Sequence, residues 1–179
     1  MTRPAVPRIV ATGSECTGKT TLSHDLAERL GARWVPEFAR LHAESVGRPL
    51  GGGDVEPIAR GQISREDVAL GERPALLVMD TDLVSTVVYS RFYYGTCPEW
   101  IVDAARRRLG HLYLLCDIDV PWVPDGVRDQ PHARAQIHGR FREALREFGA
   151  QTVTVSGLGW DRLTSALEAV EAAGLLTTR

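Results

Sequence analysis

Gly13-Ser14-Glu15-Cys16-Thr17-Gly18-Lys19-Thr20 decides the fold, because it meets every fixed position of G-x-x-x-x-G-K-[ST]. Its glycines let the backbone curl until successive N–H groups face one point, and a helix that follows adds its positive end there. An anion belongs at that point. In such a loop a lysine reaches the β- and γ-phosphates of a nucleoside triphosphate, and the Ser/Thr hydroxyl ligates Mg²⁺; here these are Lys19 and Thr20. The flanks agree. Arg8 to Thr12 reads as a short, mostly apolar strand, and Leu22, Leu26 and Leu30 recur every four residues until Gly31. Gly13 to Thr20, with Thr21 beside them, are therefore the expected triphosphate-binding residues, with ATP and Mg²⁺ as the expected cofactors.

Composition singles out the same loop. Of 21 basic residues only Lys19 is a lysine, and it stands where a compact ammonium and a broad guanidinium are not interchangeable. The 179 residues suffice for one well-cored domain, expected to span 1–179. A net charge of -2 gives no electrostatic reason to expect a nucleic-acid or membrane partner. No apolar run is long enough for a membrane span. Met1-Thr2-Arg3-Pro4 leads straight into the first strand and leaves no room for a signal peptide, so a cytoplasmic protein is expected. Cys16, Cys97 and Cys116 are scattered and odd in number, as reduced cysteines are, and the five histidines form no metal-type pair.

Working outward, Trp34-Val35 reads as a second short strand, with a helix over about 37–46. Gly51-Gly52-Gly53 reads as a flexible joint, and Asp54 as the N-cap of a helix through about Leu70. Ala75 to Met79 and Leu112 to Cys116 are continuous apolar runs ending in Asp80 and Asp117, as buried parallel strands do. Between them lie helices at about 83–92 and 98–109. After a proline-bearing loop at about 119–134 come a helix from Ala133 to Phe148, the strand Thr152 to Val155, and a helix from Trp160 to Ala173. Strands alternating with helices predict a mostly parallel sheet covered on both faces. Ligands in such folds sit at the carboxyl ends of the strands. That rule gathers Gly13–Thr20, Glu37, Asp80, the 117–134 loop and Ser156-Gly157 along one edge.

Asp80, ending a buried strand, is with Thr20 the expected metal pair. A substrate hydroxyl also needs a carboxylate within reach. Glu37 is the first candidate, against a solvated first-turn carboxylate; Asp82 is the second, against an ordinary helix N-cap. Arg128 and Arg134, six apart in the 119–134 loop, suit a lid that closes over the triphosphate and supplies charge to the transition state. Trp122 is a candidate to stack on an aromatic base, with packing as the alternative. Tyr93 and Tyr94 read as core or pocket wall. Arg60 and Gln62 share a helix that faces either substrate or solvent.

The set Gly13 to Leu22, Val35-Pro36-Glu37-Phe38-Ala39-Arg40, Ile58 to Gln62, Met79-Asp80-Thr81-Asp82, and Asp117 to Trp122 followed by Asp125-Gly126-Val127-Arg128-Asp129 resembles the nicotinamide riboside kinase domain of NadR-type proteins. The resemblance covers nearly the whole chain. It implies a P-loop NTPase three-layer α/β fold with a five-stranded, mostly parallel sheet flanked by helices. It also implies ATP-dependent phosphorylation of the 5′-hydroxyl of nicotinamide riboside to nicotinamide mononucleotide and, by analogy, Trp122 against the nicotinamide ring. Glu37, Arg40, Arg60, Gln62 and Asp82 are the other residues expected toward the acceptor, and Ser156-Gly157 are expected toward the nucleotide. Cys16-Thr17 replace the more usual Ser-Ser. Because the chain opens on the first kinase strand, the DNA-binding and adenylyltransferase segments of such proteins are expected to be absent.

Two other readings stay open: a kinase for another nucleoside or small hydroxyl substrate, and a nucleotide-dependent switch. An arginine lid beside an acceptor site favours a kinase. A GTPase-type N/T-K-x-D reader cannot exist where Lys19 is the only lysine.

Overall fold

The computed structural model describes residues 5–121 and 133–176. Five strands, β1 (Arg8–Thr12), β2 (Arg33–Val35), β3 (Leu77–Asp80), β4 (Leu112–Cys116) and β5 (Thr152–Val155), alternate with helices. The helices are α1 (Lys19–Leu30), α2 (Phe38–Val46), α3 (Val55–Gly71), α4 (Leu83–Tyr94), α5 (Glu99–Arg107), α6 (Arg134–Glu147) and α7 (Trp160–Ala172). The strands form one sheet in the order β2-β3-β1-β4-β5, and every pairing is parallel. The three central strands are buried along nearly all their length because both faces are covered.

Strand alternation splits the core in two. Ile9, Val78, Leu112, Leu114 and Val155 face α1 and α7 through Leu22, Leu26, Leu163 and Ala166. Val10, Leu77, Met79, Tyr113 and Leu115 face the other helices through Ala59, Val84, Val87, Ile101 and Phe141. The result is three layers, with β1 in the centre and its loop opening at the carboxyl edge. No helix among the described residues is long and apolar enough to cross a membrane.

Asp54 stands at the N-cap position of α3, as expected, but its side chain makes no capping bond there. Its carboxylate instead accepts from the Gly51 N–H at 2.8 Å, from Arg48 at 2.7 and 3.0 Å, and pairs with His42 Nε2 at 2.9 Å. Those donors hold the Asp54 carboxyl far below the usual carboxylate range. They also make the glycine joint a tied 3-10 turn, Gly52–Asp54, rather than a loose hinge.

Candidate functional site

The phosphate loop leaves β1 with Gly13 at φ +133°, where an added Cβ would lie 3.0 Å from the Cys116 carbonyl. Only glycine meets both conditions. Gly18, at φ +76°, is the left-handed residue that opens α1. Lys19 curls back so that its Nζ donates to the Ser14 carbonyl at 2.7 Å, and Thr17 Oγ1 donates to the same oxygen at 2.8 Å. The ammonium thus sits over its own loop.

Thr20 Oγ1 donates to Asp80 Oδ2 at 2.6 Å, joining the loop to the end of β3. The second oxygen of Asp80, Oδ1, is buried with no hydrogen-bond partner. Burial first and the charge of Glu37 second push the Asp80 carboxyl up to about 6. A hydroxyl oxygen and an under-coordinated buried carboxylate are the donors a small, hard divalent cation takes. Thr20 and Asp80 are the residues that could hold one.

Directly after Asp80 the chain does something sequence reading missed. Thr81 is β-branched yet lies at φ +63°, a region that costs such a residue roughly 1–3 kcal/mol. Its N–H is held by the Ala11 carbonyl at 2.9 Å. Through this kink Asp80 meets the phosphate loop while Asp82 lines the neighbouring pocket. Both oxygens of Asp82 are engaged: Oδ1 accepts from Val84 N at 3.0 Å, and Oδ2 from the Tyr113 hydroxyl at 2.5 Å. The N-cap alternative therefore describes this residue, and burial raises its carboxyl to about 6.

The pocket measures about 300 Å³, at the lower end of small-molecule sites. It lies between α2, α3 and α4, and its wall carries Glu37, Gln62, Asp82, Tyr89, Tyr93 and Tyr94. Tyr89 and Tyr93 are nearly parallel, with ring centroids 6.1 Å apart. The Tyr93 hydroxyl donates to Glu15 Oε1 at 3.1 Å, so the loop's third residue is tied to the pocket wall. The described residues lining the pocket include two carboxylates and no Lys, Arg or His.

Two arginines lash the loop down from the far side. Arg134 donates to the Val120 carbonyl at 2.7 Å and to the Cys16 carbonyl at 3.0 Å, bridging the foot of the 119–134 loop to the phosphate loop. Arg162, only 4% exposed, was not anticipated. It donates to the carbonyls of Thr17, Gly157 and Asp117 and pairs with Asp119. Ser156 Oγ meets Asp117 at 3.3 Å and Gly157 N meets Asp119 Oδ2 at 2.6 Å, which places this pair at the same edge. The available signal was a lone arginine in the first turn of an otherwise apolar-faced helix.

The other expected residues divide. Arg40 is exposed, and its charge acts on Asp80. Gln62 lines the pocket but spends its amide on the Phe38 N–H and Glu66. Arg60 is a correction: its side chain is 69% exposed, pairs with Glu56, and lies 4.6 Å over the Trp100 ring, outside the pocket. Two residues, about half a turn of α3, carry the chain from this outer face to the pocket face at Gln62. Trp122 and Arg128 lie outside the described residues, as does most of the expected lid.

A glycine-rich phosphate loop after the central strand, answered by a carboxylate at the end of the next strand, defines a P-loop nucleotide-binding domain. A family model described as an AAA domain matches residues 8–162, and the chain belongs to that family. It is 27% identical over 169 residues to the trifunctional NAD biosynthesis/regulator protein NadR of Escherichia coli (strain K12), covering 89% of this chain and 40% of that one. The NadR of Salmonella typhimurium matches equally. The chain thus spans well under two thirds of these relatives. Among solved structures, a NadR protein in complex with NR superposes with a TM-score of 0.83 at 22% identity, over 98% of this chain and 52% of that one. A thymidylate kinase from Ehrlichia chaffeensis shares the fold at TM-score 0.69 and 14% identity, over 94% and 99% of the two chains.

Proposed function

We propose that this chain transfers the γ-phosphoryl group of ATP to the 5′-hydroxyl of nicotinamide riboside, giving nicotinamide mononucleotide and ADP. The observation that carries the acceptor is the pocket's charge. Nicotinamide riboside is a pyridinium cation, and a wall that among the described residues carries three tyrosines, two carboxylates and no Lys, Arg or His suits a flat cationic ring. The likeness to NadR proteins, one of them solved with NR, supports the same reading. Fold alone does not, since the thymidylate kinase shares it.

In this reading the loop N–H groups and Lys19 hold the β- and γ-phosphates. Glu37 in the pocket wall accepts the hydroxyl proton and orients the oxygen, which attacks the γ-phosphorus as the bond to the β-bridging oxygen breaks and ADP leaves. Asp82, engaged twice by the protein, shapes the pocket and adds negative charge. Mg²⁺, held by Thr20 and Asp80, would neutralise phosphate charge. Arg134 braces the loop, and Arg128 is its proposed partner over the triphosphate.

The test is ADP release with Mg·ATP across a nucleoside panel, with products identified by mass. Nicotinamide mononucleotide formed only when nicotinamide riboside is present is the expected result. ADP release indifferent to every acceptor would replace the reading with a nucleotide switch.

A further inference from the structure

Phe38 opens α2, so its N–H has no acceptor within its own helix. The ordinary remedy is the preceding side chain, yet Glu37 makes no capping bond to α2. The acceptor comes from elsewhere. Gln62 Oε1, on α3 and 24 residues away, takes the Phe38 N–H at 3.0 Å. Gln62 is 2% exposed, and its Nε2 donates to Glu66 Oε1 one turn along at 3.3 Å. Because Phe38 N can only donate, the amide must turn Oε1 to it and Nε2 to Glu66. Glu66 is anchored in turn by Arg108 at 3.1 and 3.2 Å.

The ring of Phe38 is gripped by the same helix. A Cβ at Gly61 would fall 2.1 Å from it, so only glycine allows this approach, and Arg65 lies 5.6 Å from its centroid. Backbone and ring of the residue after Glu37 are thus both fixed by one stretch of α3.

We infer that Gln62 is a positioning residue that caps α2 in trans and thereby aims Glu37 at the acceptor, with Glu66 locking its amide. This rests on the reading of Glu37 given above. It reassigns Gln62 from a substrate ligand to a part of the scaffold that acts through its neighbour.

The experiment is a double-mutant cycle of Gln62→Met and Glu37→Gln, with kcat, the KM for ATP, and Phe38 amide exchange measured for each folded variant. Gln62→Met is expected to lower kcat by about tenfold or more, as small misplacements of reacting groups do, to leave the KM for ATP unchanged and to quicken Phe38 exchange. In the Glu37→Gln background it is expected to cost nothing further. A further loss in that background as large as in the parent would overturn the inference, as would unchanged Phe38 exchange. Full kcat in Gln62→Met beside a crippled Glu37→Gln overturns this inference alone, whereas full kcat in Glu37→Gln overturns the Glu37 reading and takes the inference with it. Should the apolar variant unfold, Gln62→Asn, which keeps polarity without the reach, is read against the same outcomes.

Discussion

The two halves of the site are built by opposite strategies. The phosphate side is one unbroken run, Gly13 to Thr20, whose conformation is imposed by left-handed glycines and by carbonyls tied to Lys19, Thr17, Arg134 and Arg162. The proposed acceptor side is assembled from Glu37, Gln62, Asp82 and the tyrosines of α4, contributed by three separate segments. Backbone groups cradle a phosphate whatever nucleoside bears it. Side chains from scattered segments are what distinguish one acceptor from another. The difference teaches where generality and specificity lie in this fold, and it can be broken by experiment.

The largest effect is expected on the phosphate side. Lys19→Ala should reduce phosphoryl transfer by about a thousandfold or more, the scale of losing a charged transition-state donor, while the thermal melt stays close to that of the parent. Near-normal turnover would end the phosphate-loop mechanism. Glu37→Gln comes next, with kcat falling about a hundredfold and ATP affinity little changed. A matching loss of ATP affinity would mean the two halves are not separable.

A smaller effect concerns the polar groups behind the acceptor pocket. Burial, then the charge of Asp82, lifts the Glu66 carboxyl to about 7 from an ordinary 4.5. Between those values the folded protein keeps a proton that the unfolded chain has released, so Glu66 makes stability fall as pH rises through that window. Melts of the parent and of Glu66→Gln across the same range should therefore diverge, the parent losing ground toward neutrality. Parallel curves would show that Glu66 does not titrate there. The smallest effect belongs to Arg60→Ala, which should leave acceptor kinetics within about twofold and cost less than about 1 kcal/mol, as exposed pairs do. A selective rise in acceptor KM would return Arg60 to the pocket.

The same contrast explains what the sequence made legible. The phosphate loop is contiguous, so its residues, its flanking strand and its helix could all be read in order, and β3 and β4 announced themselves as apolar runs ending in Asp80 and Asp117. The acceptor side could not be read so directly. Arg60 and Gln62 are two residues apart on α3 and face opposite ways, a distinction set by how α3 packs on α2 through Gly61 and Phe38. The left-handed turn at Thr81 has no compositional signature, because a β-branched residue is the last expected there. Arg162 is 145 residues from the Thr17 carbonyl it holds, and only the sheet order brings β5 and its following loop beside the phosphate loop.

Selection of a cation by the proposed acceptor pocket is tested most directly by comparing kcat/KM for nicotinamide riboside with that for its reduced, uncharged dihydro form, which has nearly the same outline, at fixed Mg·ATP. We predict a preference of about tenfold or more for the cation, the scale of a desolvated cation–aromatic contact. Equal values for the two, or a preference for the uncharged form, would contradict it.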